Sequence, residues 1–380
     1  MWLVNLASGS AAVKKNCDTP CFKRHLNFVK ERRNRSTSVA DTTEYVTTMA
    51  QPTMQQVAER AGVSTALVSL VMRDAPNVSD HRRQRVLEAA NELGYRPNVL
   101  ARNLASRRTN TIGLVLNDLH NPYFAEVTDG IDDAAERASQ RILIGNGRHS
   151  SAGEESAVET FLEFRVDGVI VTGSLDLTAV EKASASTPIV VVGRTDELSY
   201  ADTVHVDDAL GAQLAVDHLV SLGHRRIAHI DGGDSAGASE RSQGYCDAMH
   251  AHGLNDGIQI ARGDFTEAGG AAAAHNLLDD DQRPTAIFAG NDLSAVGAFD
   301  VLMDRGLSIP SDVSLIGFDN TALAAMAHLA LTTINQPTYD LGVAAIELLL
   351  ERINDGRTEA KRVIRRPELV VRESTALPPS

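Results

Sequence analysis

The sequence predicts a chain in two parts: a small all-α helix-turn-helix head, then an α/β body of two subdomains, each a doubly wound parallel sheet. Three observations carry this. Helical periodicity with capping residues recurs three times between residues 53 and 94. From residue 111 onward, short β-branched runs alternate with alanine-rich helical stretches, which is how parallel strands with helices on both faces read. Charge is also divided. Residues 53–110 hold nine Arg and five acids, a net +4; residues 1–52 contribute another +4. The chain totals −14, so residues 111–380 carry −22. A basic head on an acidic body favours phosphate contact by the head alone.

In the head, Thr53 is a good N-cap for a helix with Met54, Val57, Ala58 and Ala61 on one face, and Gly62 permits its left-handed end. Ser64 caps a second helix. Its apolar Leu67, Val68 and Val71 pack on the first, and Thr65, Ala66, Ser69 and Leu70 face outward. A third helix runs from a Ser79 cap through Val86, Leu87, Ala90 and Leu93 to Gly94. Two short helices around a tight turn commonly enter the DNA major groove; a plain three-helix packing unit is the competing reading. Pro97 then opens a short helix over 99–105, marginal alone in water. Arg102, Arg107 and Arg108 are placed to hold phosphates, and Leu100 or Leu104 to wedge a minor-groove base step. The bland alternative is a linker.

In the body, strands are expected at 111–116, 141–145, 168–172 and 189–193, then at 226–230, 286–290 and 313–318. Helices are expected near 124–138, 152–164, 208–222, 240–252, 267–279 and 338–354. Roughly 270 residues are long for one doubly wound sheet, so two subdomains are expected.

The run AGVS, ELGYRPN, ARNLASRRTNTIG and NPYF resembles the lac-repressor and galactose-repressor family of bacterial transcription regulators, from Thr53 to about Arg372. The resemblance implies a periplasmic-binding-protein-like body whose chain crosses between subdomains near 205, 335 and 365. The expected domains are 49–96 for the head, 97–110 for a hinge, and 111–380 for effector binding. Within the last, subdomain 1 is about 111–204 and 337–364, and subdomain 2 about 206–334 and 366–374. The expected DNA-facing set is Thr53, Ser64, Thr65, Ala66, Ser69, Leu70, Arg73, Asn98, Arg102 and Leu104. Within it, Thr65, Ala66 and Leu70 fall where relatives read base edges, and Leu104 where they wedge the operator centre. Apolar Ala66 and Leu70 suit a thymine methyl and not bidentate guanine reading.

By the same resemblance, Phe124, Arg194, Arg241, Phe265, Asn291 and Asp319 match effector positions. Aromatic faces suit the apolar side of a sugar or base, and an arginine, an amide and a carboxylate together satisfy vicinal hydroxyls. The expected partners are double-stranded operator DNA, a small-molecule effector (a sugar or polyol first, a purine-like molecule second) and a second copy in a homodimer, with no membrane. Nothing after Arg372 reads as a heptad tail.

No enzyme is expected. The sequence has no GxxxxGK[ST] loop, GxSxG elbow or HExxH pair, and its twelve His are scattered. No cofactor or metal is expected. Cys17 and Cys21 lack a second half, Cys246 stands alone, and three Cys in 380 residues suggest a reducing, cytoplasmic setting. Residues 1–48 read as a disordered extension or a mis-assigned start, with no secretory signal or membrane span. The alternatives outside this class are a transporter's solute-binding protein and a sugar-modifying enzyme.

Overall fold

The computed structural model describes residues 52–96, 108–148, 150–173, 177–280 and 283–379. The expectations for residues 1–48, for the hinge helix and for Asn98, Arg102 and Leu104 lie outside them.

The head is three helices: α1 (Met54–Ala61), α2 (Thr65–Met72) and α3 (Asp80–Leu93). Local hydrogen bonds define its ends. Gln56 N–H donates to Thr53 Oγ1 at 3.3 Å while Thr53 N–H donates to Gln56 Oε1 at 2.8 Å, a reciprocal capping box. Gly62 ends α1 at φ 63°, and Ser64 Oγ accepts from Leu67 N–H at 3.3 Å to start α2. The core is made of small side chains: Val57, Ala58, Ala61, Val68, Val71, Val78, Val86, Ala89 and Ala90.

The head departs from expectation in two places. Leu87 is 45% exposed and Ala89 takes the inward position, because α3 buries the Val86, Ala89, Ala90 stripe at i, i+3, i+4. Ser79 stands at the N-cap position of α3 without a side-chain capping bond. Three arginines of the head staple its helices: Arg85 donates to Ala61 O at 2.5 Å, Arg83 bonds Asp74 and Ala75 O, and Arg60 pairs with Glu92 at 2.6 Å.

The body holds two six-stranded sheets. The first contains β1 (Thr111–Leu116), β2 (Arg141–Asn146), β3 (Gly168–Thr172), β4 (Ile189–Val192), β5 (Asp202–Val206) and, late in the chain, β11 (Arg362–Arg365), in the order β11-β5-β4-β3-β1-β2, all parallel. The second contains β6 (Ile227–Ile230), β7 (Gln259–Ala261), β8 (Ala286–Ala289), β9 (Ser314–Asp319), β10 (Thr332–Asn335) and β12 (Glu368–Val370), in the order β12-β10-β9-β8-β6-β7, with only β12 antiparallel. Each sheet thus reverses its strand order beside its first strand, and such reversals leave a crevice at the carboxyl ends of the strands.

Helices cover both faces: α4 (Pro122–Arg137), α5 (Ser151–Glu163), α6 (Leu177–Ser184) and α11 (Thr338–Asp355) on the first sheet, and α7 (Asp208–Ser221), α8 (Ala238–Ala251), α9 (Glu267–Leu278) and α10 (Asp292–Asp304) on the second. The chain crosses between sheets after Val206, after Asn335 and after Arg365. One expected buried strand is in fact an edge. β2 has a neighbour on one side only, which leaves Ile144 49% exposed.

Five strands are absent from the sequence reading: β5, β7, β10, β11 and β12. β5, DTVHV, reads as polar, yet Asp202 is fully buried. Its carboxylate accepts from Arg352 Nε and Nη2 at 2.9 Å each, from Arg357 Nη2 at 2.6 Å, and from Lys361 N–H at 2.7 Å. Burial alone would raise its pKa, but the Arg357 and Arg352 bonds hold it below the ordinary carboxylate value.

Candidate effector cleft and DNA-facing helix

The strand ends of both sheets converge on one cleft. Most of the lining follows a strand: Asn117 after β1, Gly193 after β4, Asp208 after β5, Ser235 after β6, Phe265 after β7, Asn291 after β8, and Gln336 after β10. Asp319 closes β9. Tyr123 and Phe124 come from the first turn of α4, which Asn121 caps by accepting from Tyr123 N–H at 3.0 Å.

Arg241, on α8, is the hub and is 6% exposed. Its Nε donates to Asp208 Oδ1 at 2.8 Å, its Nη1 donates to Gly290 O at 2.5 Å and lies 3.8 Å from Asp319 Oδ1, and its Cζ sits 3.8 Å from the Phe318 ring centre and 5.0 Å from that of Phe265. Burial would lower its pKa, yet the charges of Asp208 and Asp319 raise it further, so the guanidinium stays charged. Burial raises the pKa of both carboxyls, and Arg241 opposes the rise. Tyr123 is also pushed upward, by burial and then by Asp319, and remains a neutral phenol able to donate.

Behind Asp319 lies Asp292, fully buried, which accepts from Thr333 Oγ1 at 2.7 Å and from Thr321 N–H and Oγ1 at 2.7 and 2.9 Å. These bonds fix the turn that follows Asp319. Burial raises Asp292 to about 6, against the pull of those donors.

Backbone strain gathers here. Phe265 has φ 63°, Asp319 φ 117° and Asn320 φ 60°. Such conformations cost about 1–3 kcal/mol each and persist where surrounding structure enforces them. For Phe265 the enforcement is visible. Asn291 Nδ2 donates to Phe265 O at 3.0 Å while its Oδ1 accepts from Ser294 N–H at 2.8 Å and caps α10. The ring fills space left by two glycines: a Cβ at Gly232 would stand 2.1 Å from Phe265 Cζ, and one at Gly290 2.8 Å from its Cε1.

Of the six residues expected at the effector site, Phe124, Arg241, Phe265, Asn291 and Asp319 line this cleft. Arg194 is not among the lining residues; it follows Gly193, and its Nε donates to Asp196 at 2.8 Å. Sequence reasoning missed Asn117, Asn121, Tyr123, Asp208, Asp264 and Gln336. Position was an available signal for Asn117, which directly follows the expected strand β1; Asp208, Asp264 and Gln336 follow strands the sequence reading lacks.

In the head, Thr65 and Ala66 are exposed, Ser69 is half-buried, and Leu70 is 39% exposed. Thr53 and Ser64 are exposed at the first turns of α1 and α2. Arg73 is exposed at the end of α2, its Nε donating to Ser69 O at 3.1 Å. The face is therefore accessible.

A helix-turn-helix unit with an open second helix, joined in sequence to a two-lobed receptor, defines a class: ligand-responsive, DNA-binding transcriptional regulators. The comparisons agree. Residues 53–98 match the bacterial regulatory proteins of the lacI family, and residues 216–375 match the periplasmic binding protein-like domain. Catabolite control protein A of Priestia megaterium is 36% identical over 329 residues, covering 85% of this chain and 99% of that protein. The transcriptional repressor CytR of Escherichia coli is 36% identical over 331 residues, covering 86% and 97%. Among solved structures, the lac repressor dimer bound to operator and the anti-inducer ONPF gives a TM-score of 0.78 at 27% identity, covering 86% and 99%. The chain belongs to the lacI family of bacterial regulatory proteins. That membership decides for a regulator against a transporter's solute-binding protein. No helix among the described residues is long and apolar enough to cross a membrane.

Proposed function

We propose that this regulator is a homodimeric repressor of a pseudo-palindromic operator, switched by an uncharged sugar or polyol in the cleft. The observation that carries this reading is the Arg241 hub. A guanidinium between two buried carboxylates, with an aromatic ring beside it, offers paired donors and acceptors for vicinal hydroxyls and a flat face for the C–H side of a ring.

Charge narrows the ligand class. The lining sets buried Asp208 and Asp319 and exposed Asp264 against Arg241, so a sugar phosphate or carboxylate would bring negative charge against an acidic lining. A neutral nucleoside or purine is the second reading, favoured by Tyr123 and Phe124 flanking the same cleft. Thr65, Ala66 and Leu70 read base edges through apolar and hydroxyl contacts. In a two-fold dimer the paired α2 helices meet major grooves about 34 Å apart.

The test is a thermal-shift series of sugars, polyols, nucleosides and their phosphates, followed by operator gel shifts with each ligand that protects. Protection by a neutral sugar that also changes operator retention is the expected result. Protection only by phosphorylated compounds contradicts the ligand class. A nucleoside as sole protectant establishes the second reading.

A further inference from the structure

A side-chain hydrogen bond joins the two lobes of the body at the margin of the cleft: Thr195 Oγ1 donates to Glu240 Oε1. Thr195 lies between β4 and β5 of the first sheet, and Glu240 in the first turn of α8, which covers the second. Both residues are half-buried. Gly193 and Arg241, their near neighbours in the chain, line the cleft, whereas Thr195 and Glu240 do not.

Each partner is anchored in its own lobe. Arg194 Nε donates to Asp196 Oδ2 at 2.8 Å, a bond between the two neighbours of Thr195. Further along the same loop, Leu198 and Tyr200 pack on the core of the first sheet, and Tyr200 Oη donates to Leu177 O at 3.1 Å. On the other side, α8 starts at Gly237 with φ 80° and no side-chain cap; a Cβ there would stand 3.1 Å from both carboxylate oxygens of Asp208. Glu240 is the third residue of this helix, where a glutamate ordinarily meets the helix dipole and turns back to the N–H of the cap residue. Here its Oε1 accepts from the opposite lobe. Burial raises the pKa of Asp208, Arg241 opposes the rise, and the like charge of Glu240 adds to it. A hydroxyl donor on Glu240 therefore relieves a repulsion inside the second lobe.

We propose that Thr195 and Glu240 form a latch that holds the lobes together before an effector enters, with the Arg194 to Asp196 pair bracing its loop. The proposal rests on the assignment of the cleft above. The three chain crossings join the lobes permanently, and this bond joins them reversibly. A ligand reaches Arg241 when the carboxylate releases the hydroxyl and water takes its place at both. Arg194, expected at the effector, serves the latch instead.

The test is amide hydrogen exchange of the full-length protein, without effector or operator, in the wild type, Thr195→Val, Thr195→Ser, Glu240→Ala and the double variant Thr195→Val with Glu240→Ala. Valine keeps the branched shape of threonine and removes the donor. Opening of the lobes is read at cleft segments apart from the latch, residues 117–124 of the first lobe and 264–266 of the second. Stability is read at β3 and β8. Thr195→Val is expected to speed exchange at both cleft segments by about threefold or more, as loss of a hydrogen bond to a carboxylate implies, with β3 and β8 unchanged. Thr195→Ser is expected to match the wild type, Glu240→Ala to match Thr195→Val, and the double variant to add nothing to either single change. Unchanged cleft segments in Thr195→Val, additive effects in the double variant, or equal acceleration in β3 and β8 overturns the latch. Each of these results leaves the repressor reading standing, because the ligand series above tests that reading separately.

Discussion

In the head, the side chains proposed to meet DNA stand on an exposed helix face, and the protein makes few demands on them. Thr65, Ala66 and Leu70 contribute little to the core that Val57, Val68 and Val86 build. In the body the relation is reversed. Arg241, Asp208, Asp319 and Asn291 are buried, and each is bonded to protein as it faces the ligand space. Recognition and stability are therefore separable in the head and fused in the cleft.

The sharpest way to break that contrast is Arg241→Ala. Removing the hub leaves Asp208 and the Gly290 carbonyl buried without their cation, so effector affinity is expected to fall by about 100-fold or more, as loss of a buried charged partner implies. Operator binding without effector should persist. A normal effector dose response in that variant would show that the cleft is misassigned. Next in size is Asp202→Ala, which strands Arg352 and Arg357. Urea unfolding of the body is expected to show a loss of about 3–5 kcal/mol; a loss under 1 kcal/mol contradicts the clamp.

Asp292 tests the cleft through pH. Its folded pKa, about 6, lies above the ordinary carboxylate value, so between about pH 4 and 6 the folded state binds more protons than the unfolded state. This group's contribution therefore favours folding at the acid end of that window and declines as pH rises through 6. Asp292→Asn is expected to flatten the slope by an amount on the order of 1 kcal/mol across the window. An equal change in unfolding free energy between pH 4 and 6 for wild type and Asp292→Asn, measured by urea titration at each pH, would rule this out. The smallest stability effect is expected from Leu70→Ala, within about 0.5 kcal/mol, together with a changed preference at one operator position. A variant that unfolds the head would place Leu70 in its core instead.

The same contrast governs what could be read in the sequence. The head's helices are set by neighbours three or four residues away, such as Thr53 with Gln56, so both their limits and the outward set were legible. Leu87 was misplaced because α3 offers two apolar stripes and only packing chooses between them. In the body, the long β-branched strands declared themselves, whereas β5 did not: its Asp202 is neutralised by Arg352 and Arg357, 150 and 155 positions away. The hub residue Arg241 was named, yet its partner Asp208 reads as an ordinary residue at a helix start. The glycine cradle beneath Phe265 likewise exists only once three strand ends converge.

The account turns on one coupling: occupancy of the cleft must change the grip on DNA. Its most direct test is the operator Kd of the full-length protein, measured at two salt concentrations, with and without a saturating neutral sugar that protects it from unfolding. The expected result is salt-sensitive specific binding whose Kd shifts with the sugar by about 5- to 150-fold, the usual range of such couplings. Equal affinity with the cleft full and empty would contradict the account.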